Sequence, residues 1–260
     1  MKHILRFYSG SGMPTIMHRE GSEVSPLALP AGSSQDIVFS ERLSCIGFRT
    51  PEKYCACRNS AIHIRQCPTC AALDVSRAYT VGDFSGYPQL YEEAKKEEYC
   101  LYLAGFGEDI VKCGVTRKER FEERMLEQGA DFGCLVGIFT GPDEVYGAES
   151  AIQSRFSFNN AVRLAQKIRR LEFDFGAARE NFSSAVELVK GSGVLPEISS
   201  SIIDFSPHYP RVHSPQQTYS ILGEILGAKG EILLFKSDSA KHFAVNMRQQ
   251  VGAFLQKGAE

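Results

Sequence analysis

The chain has 260 residues, with 29 Lys+Arg against 31 Asp+Glu, 43% hydrophobic and 23% charged residues. That apolar share and a net charge of -2 exclude a disordered chain and a generally basic nucleic-acid-coating protein, while leaving room for a local basic face. No apolar run approaches the ~20 residues that a membrane span needs, and Arg6 interrupts the start too early for a secretory h-region, so a cytoplasmic protein with no membrane partner is expected. The length allows one elaborate domain or two to three small ones.

In chain order, residues 1–40 read as short strands broken by turns: Ile4-Leu5-Arg6-Phe7-Tyr8, Thr15-Ile16-Met17, and Ile37-Val38-Phe39 after a Pro/Gly/Ser-rich stretch at 25–34. Residues 41–75 hold Cys45, Cys55, Cys57, Cys67 and Cys70. Cys67-Pro68-Thr69-Cys70 is a Cys-x2-Cys knuckle, whose two thiolates can grip one ion from one tight turn. A tetrahedral four-sulfur zinc site wants a second such arm, and it stabilises a loop-rich segment that has no core of its own. The expected ligands of a structural zinc are Cys45, Cys57, Cys67 and Cys70, with Cys55 as the alternate to Cys57 and His63 as a further candidate. Disulfides compete, but a reducing cytosol disfavours them. A thioredoxin-type motif would need a βαβ pattern around the Cys-x2-Cys pair. Cys100, Cys113 and Cys134 sit in apolar, strand-like contexts and read as small buried hydrophobes.

Residues 76–97 are mixed, and 91–98 read as a short charged helix. The most patterned stretch follows. Residues 99–105 and 110–116 form the two strands of a hairpin around a turn at 106–109. Residues 118–128 read as a helix, with Phe121, Met125 and Gln128 at helical spacing and Gly129 at its end. A third strand covers 132–140, and Pro142 opens a helix that runs to 156. A helix at 159–171 carries the apolar stripe Ala161, Leu164, Ile168 and Leu171, and another covers 177–190. Residues 194–216 are loop-like, and strands follow at 219–226, 231–236, 242–247 and 251–255. From Ser150 to Leu171 there is no Asp or Glu. In that run Arg163, Lys167 and Arg170 fall at i, i+4 and i+7 on one helix face. Such a stripe can neutralise phosphates; the competing reading is a solvated face.

The β-β-α-β-α order with a glycine-centred second strand resembles the GIY-YIG nuclease superfamily. Leu101-Tyr102-Leu103 stands where that superfamily has its Gly-Ile-Tyr-type strand, and Lys112-Cys113-Gly114 where it has Tyr-Ile-Gly. Arg124 and Glu149 match its catalytic Arg and metal-binding Glu in order and context, and the first helix ends in Gln128 where many members show His. More narrowly, residues 40–255 resemble an uncharacterised prokaryotic family with a zinc-knuckle segment before a GIY-YIG-like core. The residues that carry this are Cys45-Ile46-Gly47, Cys57-Arg58-Asn59, Gln66-Cys67-x-x-Cys70, Lys112-Cys113-Gly114-Val115-Thr116-Arg117, Glu127-Gln128-Gly129-Ala130, Lys229-Gly230-x-Ile232-Leu233-Leu234-Phe235 and Val245-Asn246-x-Arg248.

The expected fold class is α+β. A β-rich segment with the zinc knuckle at 1–75 precedes a GIY-YIG-like core at 76–193, a small antiparallel sheet flanked by helices, and a β-rich C-terminal module follows at 194–260. The resemblance implies a nucleic-acid-processing protein, a Mg- or Mn-dependent endonuclease on DNA or RNA, with Tyr102, Lys112, Arg124 and Glu149 at the catalytic site. Phosphodiester hydrolysis needs charge stabilisation by a metal, a base for the attacking water and a cation near the transition state. Glu149 could give a carboxylate to Mg²⁺, and Arg124 a planar fork of donors to phosphate. Thr116-Arg117 could contact phosphate at the strand end. In the superfamily a hairpin Tyr serves the attacking water, and Lys112 stands in its place. An ordinary lysine is a cation at pH 7 and no base unless burial lowers its pKa, which leaves Tyr102 as the polar ring on the neighbouring strand. The plainer readings are an Arg124 ion pair with Glu123 or Glu127, a surface Glu149 and a core Tyr102. Two other functions compete: a zinc-stabilised nucleic-acid-binding protein without cleavage, and a structural or interaction protein.

Overall fold

Alternating apolar residues near both ends of the chain build strands, and short apolar stripes between them build helices. The computed structural model describes residues 1–10, 12–57, 59, 65–159, 161–196 and 198–257. Its elements are β1 (Lys2–Tyr8), β2 (Thr15–Glu20), β3 (Glu23–Ala28), β4 (Ser34–Phe39), β5 (Phe48–Arg49), β6 (Tyr54–Cys55), α1 (Pro68–Leu73), α2 (Ser76–Val81), α3 (Pro88–Ala94), β7 (Glu98–Phe106), β8 (Ile110–Arg117), α4 (Phe121–Gln128), β9 (Phe132–Thr140), α5 (Pro142–Phe156), α6 (Leu164–Arg169), α7 (Phe175–Lys190), β10 (Ile203–Asp204), β11 (Gln216–Thr218), β12 (Ser220–Lys229), β13 (Ile232–Lys236), β14 (His242–Asn246), α8 (Met247–Gln250) and β15 (Phe254–Lys257). The class is α+β, as expected. None of the described helices is long and apolar enough to cross a membrane.

The chain divides into two compact units, Met1–Leu90 with Pro215–Glu260, and Tyr91–Ser214. In the first, nine strands form one sheet in the order β11-β14-β13-β12-β4-β15-β1-β2-β3. The N- and C-terminal β-rich parts, expected as separate segments, are therefore interleaved: β4 lies between β12 and β15, and β15 pairs with β1. The N-terminal part brings four strands to this sheet and the C-terminal part five. Together they bury Ile4, Ile16, Ile37 and Phe39 with Ile221, Ile225, Leu233 and Val245. Two boundaries differ from the sequence pattern. β3 runs through Pro26, which an edge strand tolerates because its missing N–H faces no partner. The expected strand at 251–255 begins only at Phe254, because α8 and its turn occupy the preceding residues.

The second unit is built on the antiparallel sheet β10-β9-β7-β8. Its hairpin, the helix ending at Gln128, the strand Phe132–Thr140 and the helix Pro142–Phe156 follow the sequence pattern. β7 is buried on both faces. Tyr99, Leu101 and Leu103 pack with Val145 and Ile152 of α5 and with Ala178, Phe182 and Val186 of α7. Cys100, Tyr102 and Ala104 pack with Phe121 and Met125 of α4 and with Phe205. The helix expected at 159–171 shrinks to Leu164–Arg169. Asn159 is instead drawn against the edge strand β8, bridging Lys112 and donating its backbone N–H to the Val111 carbonyl at 3.3 Å, and Arg163 is extended.

Phe182 is 2% exposed and stacks on Phe132 with 5.8 Å between ring centroids. It also lies over Gly105, where an added Cβ would sit 2.8 Å from its ring. Phe182→Ala empties the space between α7 and β7 and is expected to cost about 3–5 kcal/mol, read as a lowered urea midpoint at unchanged m. A loss below about 1 kcal/mol would mean that α7 is not part of this core.

Candidate functional site

The segment between β4 and α1 has few apolar side chains, and thiols gather where a core would otherwise be. Cys45 precedes β5, Cys57 follows β6, Cys67 caps α1 and Cys70 lies within it, with Pro68 in the first turn. The four sulfurs all lie within 4.8 Å of one another, and Cys57 and Cys67 are 3.8 Å apart. Sulfurs placed tetrahedrally at ~2.3 Å from zinc are separated by about 3.8 Å, so these residues are close enough to hold one metal ion such as zinc. Cys55 lies outside the group, on β6 opposite Phe48, and Cys57 takes the fourth place. His63 and Arg58 lie outside the described residues. All eight cysteines are free thiols.

Local hydrogen bonds prepare these thiols for ionisation. The N–H groups of Cys67 and Gly47 donate to Cys45 Sγ at 3.2 and 3.4 Å, and that of Asn59 donates to Cys57 Sγ at 3.3 Å. The backbone N–H of Cys70 holds the Cys67 thiol down to about 6, while burial pushes Cys45 and Cys70 up. A divalent cation between them would reverse that upward pressure. Gly47 has φ +87°, and a Cβ there would lie 2.1 Å from the Cys55 carbonyl oxygen, so only glycine fits this turn. Gln66 holds the two arms together, its amide donating to the Gly47 carbonyl at 2.8 Å and to Asp74. Among the described residues, Arg19 Nη1 and Tyr54 Oη are buried and find no hydrogen-bond partner. Burial pushes Tyr54 up to about 12, against the pull of the Arg19 charge, and Tyr54 also senses Cys45 and Cys70.

The second cluster forms along β8. Its register pairs Tyr102 with Gly114 and Ala104 with Lys112, which puts Tyr102 and Lys112 on the sheet face that α4 covers. A Cβ on Gly114 would sit 2.5 Å from the Tyr102 hydroxyl oxygen, so the glycine makes room for the ring. From α4, the buried Gln128 donates through Nε2 to Tyr102 Oη at 2.9 Å, and its Oε1 accepts from Lys112 Nζ at 2.6 Å. Arg124, one turn earlier, directs its charge and a donor at Tyr102 and also donates to Glu127 at 3.2 Å. From α5, Glu149 lies close enough for its charge to reach Lys112, Tyr102 and Cys113, and Gln153 donates to its Oε1 at 3.2 Å.

Tyr102, Lys112, Arg124 and Glu149 thus converge from four elements. Burial lowers Lys112 to about 8, Arg124 adds to the effect, and Glu149 opposes it. Burial raises the Glu149 carboxyl, with Lys112 pulling the other way, and it raises Tyr102, which stays a neutral phenol. The plainer readings hold alongside: Arg124 does pair with Glu127, and Tyr102 is core. Gln128 was not among the expected site residues, although its helical spacing with Phe121 and Met125 already put it on the buried face of its helix.

Residues 32–255 match the family model described as "Protein of unknown function (DUF2797)". The chain belongs to the DUF2797 family. No curated protein and no solved structure matches it. Both clusters of this DUF2797 chain fall inside the matched residues.

The basic stripe expected of the DUF2797 chain is not formed. α6 begins only at Leu164, so Arg163 lies outside the helix, where it is exposed. Lys167 turns inward: it is buried, donates to the Gln128 carbonyl at 2.6 Å and lies 5.1 Å from the centre of the Phe106 ring. That carbonyl is at the end of α4, where the helix dipole favours a cation. Arg170 forks onto Asp109 at 2.7 and 2.8 Å, and Arg117 pairs with Glu97 at 2.8 Å.

The Lys112 amine gives a pH signature. Its pKa falls from an ordinary 10.5 to about 8 on folding, so between these values the unfolded chain binds the extra proton. Stability attributable to Lys112 therefore rises as pH climbs through this window, and the penalty is complete below it. Between pH 8 and 10, wild type should gain on the order of 1–3 kcal/mol relative to Lys112→Met, measured by denaturant melts of both proteins. A pH-independent difference would place Lys112 in water.

Proposed function

We propose that this chain is a metal-dependent phosphodiesterase acting on DNA or RNA, built on a zinc-stapled scaffold in the reducing cytoplasm. The observation that supports the reading is the convergence of Lys112, Tyr102, Arg124 and Glu149 around Gln128, with a lysine whose amine is partly neutral near physiological pH. The order of these residues along a hairpin, a helix, a strand and a helix resembles the GIY-YIG nucleases and supports the same reading.

The residues fit a hard divalent cation such as Mg²⁺ or Mn²⁺. Glu149 is a half-buried carboxylate raised in pKa, oriented by Gln153, and such cations commonly take one or two carboxylates with water and phosphate oxygens. When bound, the cation supplies charge to the phosphoryl oxygens and acidifies a water. Lys112, in its neutral fraction, accepts the proton of the attacking water; general bases work best when their pKa lies near the operating pH. Gln128 and the Arg124 charge hold Tyr102 as a buried neutral phenol that fixes the geometry of the cluster. Arg124 offers its fork to the phosphate.

The test is a Mg²⁺ or Mn²⁺ assay on single-stranded, duplex and structured DNA and RNA. Cleavage is expected to be narrow in substrate and to rise with pH as Lys112 loses its proton. Glu149→Gln and Arg124→Ala should each lower it by roughly 100-fold or more. Cleavage that persists in Glu149→Gln would refute this site. Tight binding with no cleavage of any substrate would favour a binding module instead.

The four-cysteine group is, in this reading, a structural zinc site. Elemental analysis should find about one zinc per chain, and the double variant Cys67→Ser, Cys70→Ser should lose it and melt at a lower temperature. A metal-free protein with an unchanged melting temperature would overturn the assignment.

A further inference from the structure

Three of the four grouped thiols receive a backbone N–H. Cys45 accepts from Gly47 and Cys67, Cys57 from Asn59, and Cys67 from Cys70. Among the described residues no N–H reaches Cys70, which is buried with Cys45 and Cys67. A divalent ion held by four thiolates leaves a surplus of negative charge, and a thiolate away from water needs hydrogen bonds to carry it.

Tyr54 stands beside this group. It lies on β6, paired with Arg49 of β5. The chain leaving α1, the helix that carries Cys70, is fastened to the same hairpin by the Val75 N–H, which donates to the Arg49 carbonyl at 3.0 Å. A Cβ on Gly47 would sit 2.8 Å from Tyr54 Oη, so the glycine gives the hydroxyl its place. The charges of Arg19, Cys45 and Cys70 all reach the phenol. Arg19 comes from β2 with one arm engaged: its Nη2 meets His3 Nδ1 at 3.1 Å, and His3 Nε2 meets the carbonyl of Ser44, the residue before Cys45, at 3.3 Å. A proton on Nε2 leaves Nδ1 to accept from the guanidinium. The other arm, Nη1, and Tyr54 Oη are the two buried side-chain atoms that find no partner among the described residues. Such unmet groups are costly.

We propose that Tyr54 is a positioning residue of the metal site, completing on metal binding a relay in which Arg19 Nη1 donates to Tyr54 Oη and the Tyr54 hydroxyl donates to the Cys70 thiolate. The inference rests on the zinc reading of the four cysteines. Two hydrogen bonds in series give a partner to both unmet atoms and a donor to the one thiol that lacks it. The direction of the series follows from the groups: a guanidinium only donates, a thiolate only accepts, and a hydroxyl does both. A neutral thiol is a weak acceptor, whereas a thiolate accepts a charge-assisted bond that is shorter and stronger. Arg19 polarises the hydroxyl without touching sulfur itself. A thiolate held in this way is a poorer nucleophile, which suits a site that staples the fold.

The test uses the full chain loaded with Zn²⁺ and, separately, with Co²⁺, whose thiolate charge-transfer absorption responds to hydrogen bonds on sulfur. Tyr54→Phe should weaken zinc binding by roughly 10-fold or more in competition with a chelator, and should move the Co²⁺ band to lower energy. Arg19→Lys keeps the charge but loses the planar fork; it should move the band the same way by less, and serves if Tyr54→Phe folds poorly. Weaker binding with an unmoved band would mean that Tyr54 only fills space, and would overturn the relay. Equal affinity and an equal band in wild type and Tyr54→Phe would overturn it as well, leaving the zinc site to stand on its metal content. A wild type that binds neither metal would overturn the zinc reading itself, and the relay with it.

Discussion

The carboxamide of Gln128 can be turned only one way. The lysine ammonium carries donors and no acceptor, so against protonated Lys112 the amide oxygen faces Lys112 and its nitrogen faces Tyr102. One side chain of α4 therefore fixes two residues on neighbouring strands, at the place where Gly114 leaves space for the Tyr102 ring. The backbone of the same residue is held from the other side by Lys167, whose ammonium meets the Gln128 carbonyl. A buried amide satisfied on both ends and a buried ammonium satisfied by a helix-end carbonyl are costly to disturb, because breaking either leaves an unpaired polar group in a low dielectric. The helix, the hairpin and α6 are locked together by this network, and the position of Arg124 follows from it.

The consequence for chemistry is a division within the cluster. Tyr102 and Gln128 are fixed and dry, while Lys112, Arg124 and Glu149 are only half-buried. Groups of the first kind hold geometry. Groups of the second kind can still meet a ligand, and their opposed charges modulate one another: Arg124 pushes the Lys112 proton off, and Glu149 holds it on. A cation beside Glu149, or a phosphate beside Arg124, would change that balance in opposite directions, so the protonation of Lys112 answers to what is bound.

Much of this was legible in the sequence where one period dominated. The strand Phe132–Thr140 and the helix Pro142–Phe156 show their limits because Pro142 and Gly141 punctuate a change of period. The four converging residues are named through the resemblance to the GIY-YIG superfamily, by their order along the hairpin and the two helices. The failures have physical causes too. A helical stripe at 159–171 was plausible by spacing, but edge pairing of Asn159 with β8 and the inward turn of Lys167 are tertiary effects that spacing does not contain. The interleaving of N- and C-terminal strands in one sheet is likewise a long-range pairing, invisible to a window that moves along the chain. Gln128 stands where the resembled superfamily often has His, but an amide does no acid–base work, so it stays outside the expected site residues; its importance lies in having both a donor and an acceptor at one end.

The choice between Cys55 and Cys57 is a matter of register. The turn between β5 and β6 sets Phe48 opposite Cys55 and Arg49 opposite Tyr54. Two residues past the strand, the Cys57 sulfur lies 3.8 Å from that of Cys67, whereas Cys55 stays within the strand opposite Phe48. A shift of the turn by two residues would have exchanged them, and nothing in the cysteine spacing fixes that turn. What fixes it is the hydrogen bonding of Thr50, whose hydroxyl accepts from the N–H groups of Glu52 and Lys53 while its own N–H reaches the Lys53 carbonyl at 2.8 Å. Gly47 then allows the chain to turn back closely against the Cys55 carbonyl. The four grouped cysteines are thus selected by a polar turn and a glycine outside the group, just as the polar cluster of the other unit is arranged by an amide with no acid–base role.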